Sequence, residues 1–243
     1  PAEDRAAGAR DFAVARAELH AVDPAKLSLA DMARPHDAAQ HALLDLLRWR
    51  AIQQERVAEP SLVTRDAGDW LQAHPPARVE RTALCHGDAG AGNFLHASGR
   101  VTALLDWEFA HLGDPLDDIA WVLIRSHLLG GEAEMRAALP VWAEHAGLPL
   151  ERERIAYYRG LVLLRMAISC QVAHGHASRG GAMDTTTYQL LLPYLEFLLP
   201  QALREAGCGE AWLGPAEASG RAGIDAVPVL KAMARPLAPW EMS

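Results

Sequence analysis

Lysine is almost missing from this chain. Lys26 and Lys231 are the only two in 243 residues, and arginine supplies the other 21 basic side chains. With alanine abundant, that skew reads as coding bias rather than chemistry. Cysteine is nearly as scarce: Cys85, Cys170 and Cys208 are widely spaced and odd in number, and no C-x-x-C pair is present. Their spacing argues against a zinc ribbon or a dithiol redox motif and makes a reducing cytoplasm the simplest setting. Long hydrophobic runs are also missing, so nothing reaches the roughly 20 apolar residues of a membrane-spanning helix. The opening PAEDRAAGARDFAVARAELH is charged, unlike a signal peptide, and the chain does not begin with Met, as expected of a fragment. Basic charge is in deficit, with 23 residues against 31 acidic ones for a net charge of −8. That balance argues against general affinity for nucleic-acid phosphates or anionic membrane surfaces. It suits a soluble enzyme or a cation binder equally well.

Half of the residues are hydrophobic, enough for a sizeable core in one large domain or two small ones. Helical periodicity runs from Asp4 to about Val22 through Phe12, Val14, Ala15 and Leu19, and stops at Asp23-Pro24. It returns after Asp37, a plausible cap, with Leu43, Leu44, Leu46, Leu47 and Ile52 on a stripe. A shorter helix is predicted over residues 64–74, closed by Pro75-Pro76, and further helices over 115–129, 132–145, 151–174 and 185–204. Between Thr82 and Trp107 the texture changes to short apolar runs, TALC, NFLHA and VTALLDW, separated by glycine-rich or Ser-Gly breaks. These predict two or three short strands. The fold class is therefore α+β, predominantly helical, with one small strand-bearing insert and an irregular stretch over 206–243.

The unusual polar residues all fall in that insert. LCHGDAGAGNFL places His86, Asp88 and Asn93 on a loop with Gly87, Gly90 and Gly92. If Ser98-Gly99 turns a hairpin, Asn93 lies opposite Leu104, and Asp106 shares its face one diagonal step away. Two side-chain oxygens could then converge on one Mg²⁺, with Asp88 beside the ion; a register slip of one residue would undo this. A carboxylate to orient and deprotonate a hydroxyl, next to oxygen ligands for an ion, is what phosphoryl transfer needs. Turn chemistry alone would account for single Asp and Asn residues beside glycines, but not for the joint pattern.

HGDAGAGN resembles the H-G-D-x-x-x-x-N catalytic loop of the aminoglycoside phosphotransferase and choline kinase-like group, relatives of the protein kinases. The following LLDWEFAHLGDPLDDIAW is similar to the group's metal-binding segment. The likeness is to the broad bacterial phosphotransferase enzyme family, including kinase-like domains related to those fused to some acyl-CoA dehydrogenases. ELHAVDPAKL looks like the first helix of that family's C-terminal lobe, so the resemblance covers about residues 10–205. It implies a kinase-like C-terminal lobe over 1–205 and transfer of the γ-phosphate of ATP to a hydroxyl of a small molecule. It also implies Asp88 as catalytic base, Asn93 and Asp106 as Mg²⁺ ligands on the nucleotide side, and His86 as a support for the loop. Asp118 would brace that loop. The family holds ATP against an upstream β-rich lobe with a phosphate-binding lysine. No strand pattern precedes Thr82, Lys26 lies too close to the first helix and Lys231 follows the loop, so that lobe is expected to be absent from this chain. The alternative is a catalytically silent kinase-like binding module, or a truncated fragment lacking the ATP-gripping lobe. A metal-dependent hydrolase using His86, Asp88 and Asp106 is a third reading.

Glu108 is a further metal-ligand candidate, and Trp107 reads as a packing residue. Asp114-Pro115 reads as a helix cap followed by proline at the first helical position, with Asp117 and Asp118 at the helix's positive end. Glu108, Asp114 and Asp117 could instead form an acidic rim for a cationic substrate. His174-Gly175-His176 is expected at a glycine-broken helix end, Cys85 and Cys170 as buried thiols, and SRGG, residues 178–181, as a connection near an acceptor pocket.

Overall fold

A computed structural model describes residues 2–29, 32–97, 99–177 and 186–209. Three helices come first, α1 (Ala2–Ala21), α2 (Gln40–Arg56) and α3 (Leu62–Ala73). The strands β1 (Ala83–Cys85), β2 (Phe94–Ala97), β3 (Arg100–Leu104) and β4 (His111–Gly113) follow. The helices α4 (Pro115–Leu129), α5 (Glu132–Ala146), α6 (Arg152–Ala177) and α7 (Thr186–Glu205) complete the order. Their starts are set by short polar side chains. Asp37 accepts the Gln40 N–H at 2.9 Å, Ser61 that of Thr64 at 3.3 Å, and Asp114 that of Leu116 at 3.0 Å, with Pro115 at the first helical position.

The core is built around α6. Tyr158, Leu161, Val162, Leu163, Leu164, Ala167 and Ile168 on it are all buried, and it packs against α2, α3, α4 and α7. A helix apolar on nearly every side is an interior helix. On a second flank α1 packs against α5 and touches β1 and β3. The buried face of α1 is Ala9, Phe12, Ala13, Arg16, Ala17 and His20, whereas Val14, Ala15 and Leu19 are only half-buried. On α2 it is His41, Ala42, Asp45, Leu46, Trp49 and Gln53, and Leu47 is exposed. Both faces differ from the expected apolar stripes because polar side chains occupy interior positions.

The strands form two antiparallel pairs, β1 with β4 and β2 with β3. β4 was not expected from the sequence. The hairpin register departs from simple alternation: Ala97 faces Arg100 and His96 faces Val101, but a bulge between Leu95 and His96 then sets Leu95 opposite Ala103 and Phe94 opposite Leu104. Ser98 at the expected turn, the 178–181 loop and residues 210–243 with Lys231 lie outside the described residues.

Two adjacent carboxylates at the start of α4 knit these layers together. Asp117 receives Arg165 Nη2 from α6 at 2.6 and 2.7 Å, and Arg165 Nε lies 3.0 Å from Asp45 on α2. His111 of β4 places Nε2 3.0 Å from Asp117. Burial would lower the His111 pKa, but contact with Asp117 and the charge of Asp45 outweigh it and raise it from 6.5 to about 9. Protonated His111 and Arg165 then balance the two acids.

Asp118, fully buried, faces the other way. His20 Nε2 of α1 donates to it at 3.0 Å, Arg16 Nη1 lies at 3.3 Å, and Trp142 Nε1 of α5 donates to His20 Nδ1 at 3.0 Å. The Trp142 bond fixes the His20 proton on Nε2, toward Asp118. Burial opposes ionisation of Asp118, yet the His20 hydrogen bond, the Arg16 charge and the His86 N–H hold it far below the usual carboxylate range.

Because folded His111 binds its proton more tightly than the unfolded chain, its contribution to stability is complete below about pH 6.5 and is lost as pH rises through about 9. Denaturation midpoints measured from pH 6 to 10 should fall across that window and fall less in His111→Gln. Asp118→Asn leaves buried Arg16 without its counter-charge and should cost about 3–5 kcal/mol in urea unfolding. A loss below about 1 kcal/mol would remove Asp118 from this structural role.

Candidate active site

The glycine-rich loop leaves β1 at Cys85 and returns to β2 at Phe94. Asp118 fixes its first turn, accepting the main-chain N–H groups of His86 at 2.9 Å and Gly87 at 3.0 Å. Gly87 has φ +79°, and a Cβ there would stand 2.1 Å from the Phe109 carbonyl oxygen, so no other residue fits. The His86 ring spends both nitrogens. Nε2 donates to Leu105 O at 2.7 Å and Nδ1 accepts the Asp88 N–H at 3.3 Å. Burial, then the Arg16 charge, lower its pKa, consistent with the neutral ring that this pattern requires. His86 therefore supports the loop and has no nitrogen to offer a metal, which counts against the hydrolase reading.

Asp88 is held by both carboxylate oxygens. Arg125 Nη1 donates to Oδ1 at 2.5 Å and Asn93 Nδ2 to Oδ2 at 2.7 Å. Asn93 Nδ2 also donates to the Asp88 carbonyl at 2.9 Å. With two acceptors facing Nδ2, the amide orientation is determined, and Oδ1 remains as its acceptor for another partner.

The second motif is fastened to the first through Leu105. Its N–H donates to Asn93 O at 2.9 Å and its carbonyl accepts from His86. Asp106 comes next, exposed and with φ +65°, the one left-handed non-glycine residue among the described residues. Strict alternation from an Asn93–Leu104 pairing would bring Asn93 and Asp106 to one face. The bulge instead puts Leu105 beside Asn93, and Asp106 is aimed by a backbone inversion beyond the strand end.

Glu108 is exposed. Asp114 and Asp117 are buried, so they do not form an acidic rim; burial raises the Asp114 pKa to about 7 despite the Leu116 N–H and Arg154. Trp107 is 38% exposed, donates to Leu104 O and lies 4.7 Å from the His86 ring. α6 continues to Ala177 without a break at Gly175, and the His176 side chain lies outside the described residues. Cys85 and Cys170 are buried as expected. Among the described residues no group of three or more His, Cys, Asp or Glu is poised to hold a metal, and no helix is long and apolar enough to cross a membrane.

Sequence reasoning passed over Arg16, His20, Trp142 and Arg125. For Arg125 a signal existed: it follows Asp118 by seven residues on α4, two helical turns along the same face.

The profile of the phosphotransferase enzyme family matches residues 1–157. Over 144 residues the chain is 29% identical to acyl-CoA dehydrogenase family member 10 of Mus musculus, covering 58% of this chain and 13% of that protein. A Ralstonia eutropha protein assigned to the aminoglycoside phosphotransferases superposes with a TM-score of 0.68 at 21% identity, over 84% of this chain and 66% of that one. A thermostable mutant of aminoglycoside phosphotransferase APH(4)-Ia, solved as a ternary complex with ADP and hygromycin B, gives 0.59 at 18% identity, over 86% and 68%. The chain thus spans a small part of its mouse relative and about two thirds of these solved structures. Their shared fold is the kinase-like one, and with the family profile matched over more than half its length, this chain belongs to the phosphotransferase enzyme family.

Proposed function

We propose that residues 1–205 form the catalytic lobe of an ATP-dependent phosphotransferase acting on a hydroxyl of a small molecule, with 206–243 as an appended tail. The observation that carries this reading is the Asp88 carboxylate, fixed by Asn93 and Arg125 beside a segment whose next acid, Asp106, stands on a strained and exposed backbone. Asp88 would orient the acceptor hydroxyl and take its proton. As the new bond from the hydroxyl oxygen to the γ-phosphorus forms, the bond to the bridging oxygen breaks and ADP leaves. Each carboxylate oxygen of Asp88 has one further lone pair after its present hydrogen bond, so binding a hydroxyl requires neither bond to break.

The donor set suits Mg²⁺, which is commonly held by one or two protein oxygens together with substrate phosphates rather than by a full protein cage. Asn93 through Oδ1 and Asp106 would hold it, with Glu108 as a further candidate. When bound it neutralises charge on the phosphates. The bound ADP and hygromycin B of the APH(4)-Ia neighbour support a nucleotide and a small-molecule acceptor. The unpaired cysteines fit a cytoplasmic setting.

The test uses the full-length protein that carries this chain, with labelled ATP and a panel of hydroxyl compounds including hygromycin B, choline and a macrolide. Asp88→Asn should lower kcat by about 10²- to 10⁴-fold; undiminished transfer would sink the assignment of Asp88. Asn93→Ala and Asp106→Ala should raise the Mg²⁺ concentration for half-maximal turnover by more than roughly tenfold. Calorimetry showing no Mg-ATP binding to the full-length protein would favour the silent binding module instead.

A further inference from the structure

Between Asp88 and Asn93 the loop contains only alanine and glycine. Apart from Asn93 it has no side chain of its own that could brace the Asp88 carboxylate. The second brace comes from outside, and we infer that Arg125 is a positioning residue of this site, setting the direction of the Asp88 carboxylate toward the acceptor hydroxyl. The inference rests on the reading of Asp88 as the base.

The guanidinium spans the loop. Nη1 donates to Asp88 Oδ1 at 2.5 Å while Nη2 donates to Ala91 O at 2.7 Å, so one rigid group ties the carboxylate to the main chain beyond it. Nε has no hydrogen-bond partner among the described residues, and both hydrogen bonds of the group therefore go to this loop. The loop is also shaped to admit it. A Cβ on Gly90 would lie 2.8 Å from Arg125 Cδ and 2.9 Å from its Cβ, and one on Gly92 would lie 3.3 Å from Nη2. Two of the loop's glycines are thus accounted for by the space Arg125 occupies.

The helix is well placed for the task. Asp118 of α4 holds the N–H groups of His86 and Gly87, and two turns later Arg125 holds Asp88 and Ala91. Any shift of α4 moves both grips together, which keeps the Asp88 carboxylate in register with the turn that carries it. Lysine could supply charge but not two donors in a fixed plane.

The experiment compares wild type, Arg125→Ala, Arg125→Lys and Asp88→Asn in the full-length protein. It reads ADP release from Mg-ATP, with hygromycin B and with water as acceptor, and hydrogen exchange of the loop amides. Arg125→Ala and Arg125→Lys should each lower kcat about 100-fold with the KM for ATP changed less than about twofold, the pattern of a misplaced group rather than lost binding. The Asn93 N–H, which donates to Gly90 O at 3.2 Å, should lose about tenfold in protection. Methylguanidinium should restore part of the turnover to Arg125→Ala and none to Asp88→Asn. Unchanged loop exchange in both Arg125 variants would overturn the positioning role whatever the turnover, as would an unchanged or raised kcat. Full turnover by Asp88→Asn, with the loop still loosened in Arg125→Ala, would remove the base and leave the grip of Arg125 on the loop established.

Discussion

A buried carboxylate is tolerable only when every charge and lone pair it brings inside is answered, and Asp118 meets that condition with groups from two separate parts of the chain, one of them held in turn by a third. Its oxygens take two main-chain N–H groups from the turn after β1 and one ring N–H from α1, with the Arg16 guanidinium of α1 alongside. His20 can donate because Trp142 of α5 occupies its other nitrogen. Leaving any of these contacts unmade would strand a buried polar group at a cost of about 1–3 kcal/mol, and more for a charge. The position of α1, the docking of α5 and the path of the loop are therefore mutually conditional. The loop can be poor in side chains because its rigidity comes from the helix behind it.

Asp117, one residue earlier, points to a different side, since neighbours on a helix diverge by about 100°. There it gathers β4, α2 and α6 around a set of two acids and two bases with no net charge. A buried cluster of this kind adds little to stability over an apolar equivalent, but it penalises any arrangement that separates its members. In this protein the members sit on four elements, and the short β1–β4 pair that carries the loop is one of them. The first turn of α4 thus orients the core with one side chain and the site with the next.

The helices were legible because each is bounded by proline, glycine or a capping residue and carries enough apolar residues at helical spacing. Which face they bury was less legible. On α1 the inward positions include Arg16 and His20, and on α2 His41, Asp45 and Gln53, so a reading that sorts apolar from polar turns both helices partly the wrong way. β4 is three residues long and has no alternation to detect. In the candidate site, residue type, order and separation single out Asp88, Asn93 and Asp106, while the pairing that aligned Asn93 with Leu104 fails at the bulge. No local pattern in one strand reports that its partner has gained a residue. Arg125 has only one local signal, its two-turn spacing from Asp118; what marks it more strongly is the pair of glycines it faces 33 and 35 positions earlier.

The backbone at Asp106 depends on the same loop. A non-glycine residue at φ +65° costs of order 1–3 kcal/mol, and glycine would adopt the same conformation freely. The conformation persists because Leu105 just before it is clamped on both sides, its N–H on the Asn93 carbonyl and its carbonyl under His86. Those clamps belong to the loop that carries Asp88, so the strain at Asp106 is sustained by the same residues that would share the site with it. An exposed acid at a position where glycine would be less strained, with no ion pair to its carboxylate among the described residues, adds nothing evident to stability. Under the proposed function that cost is offset by the ion the carboxylate would hold, and its fixed link to His86 and Asn93 through Leu105 means that a displacement of the loop carries Asp106 with it.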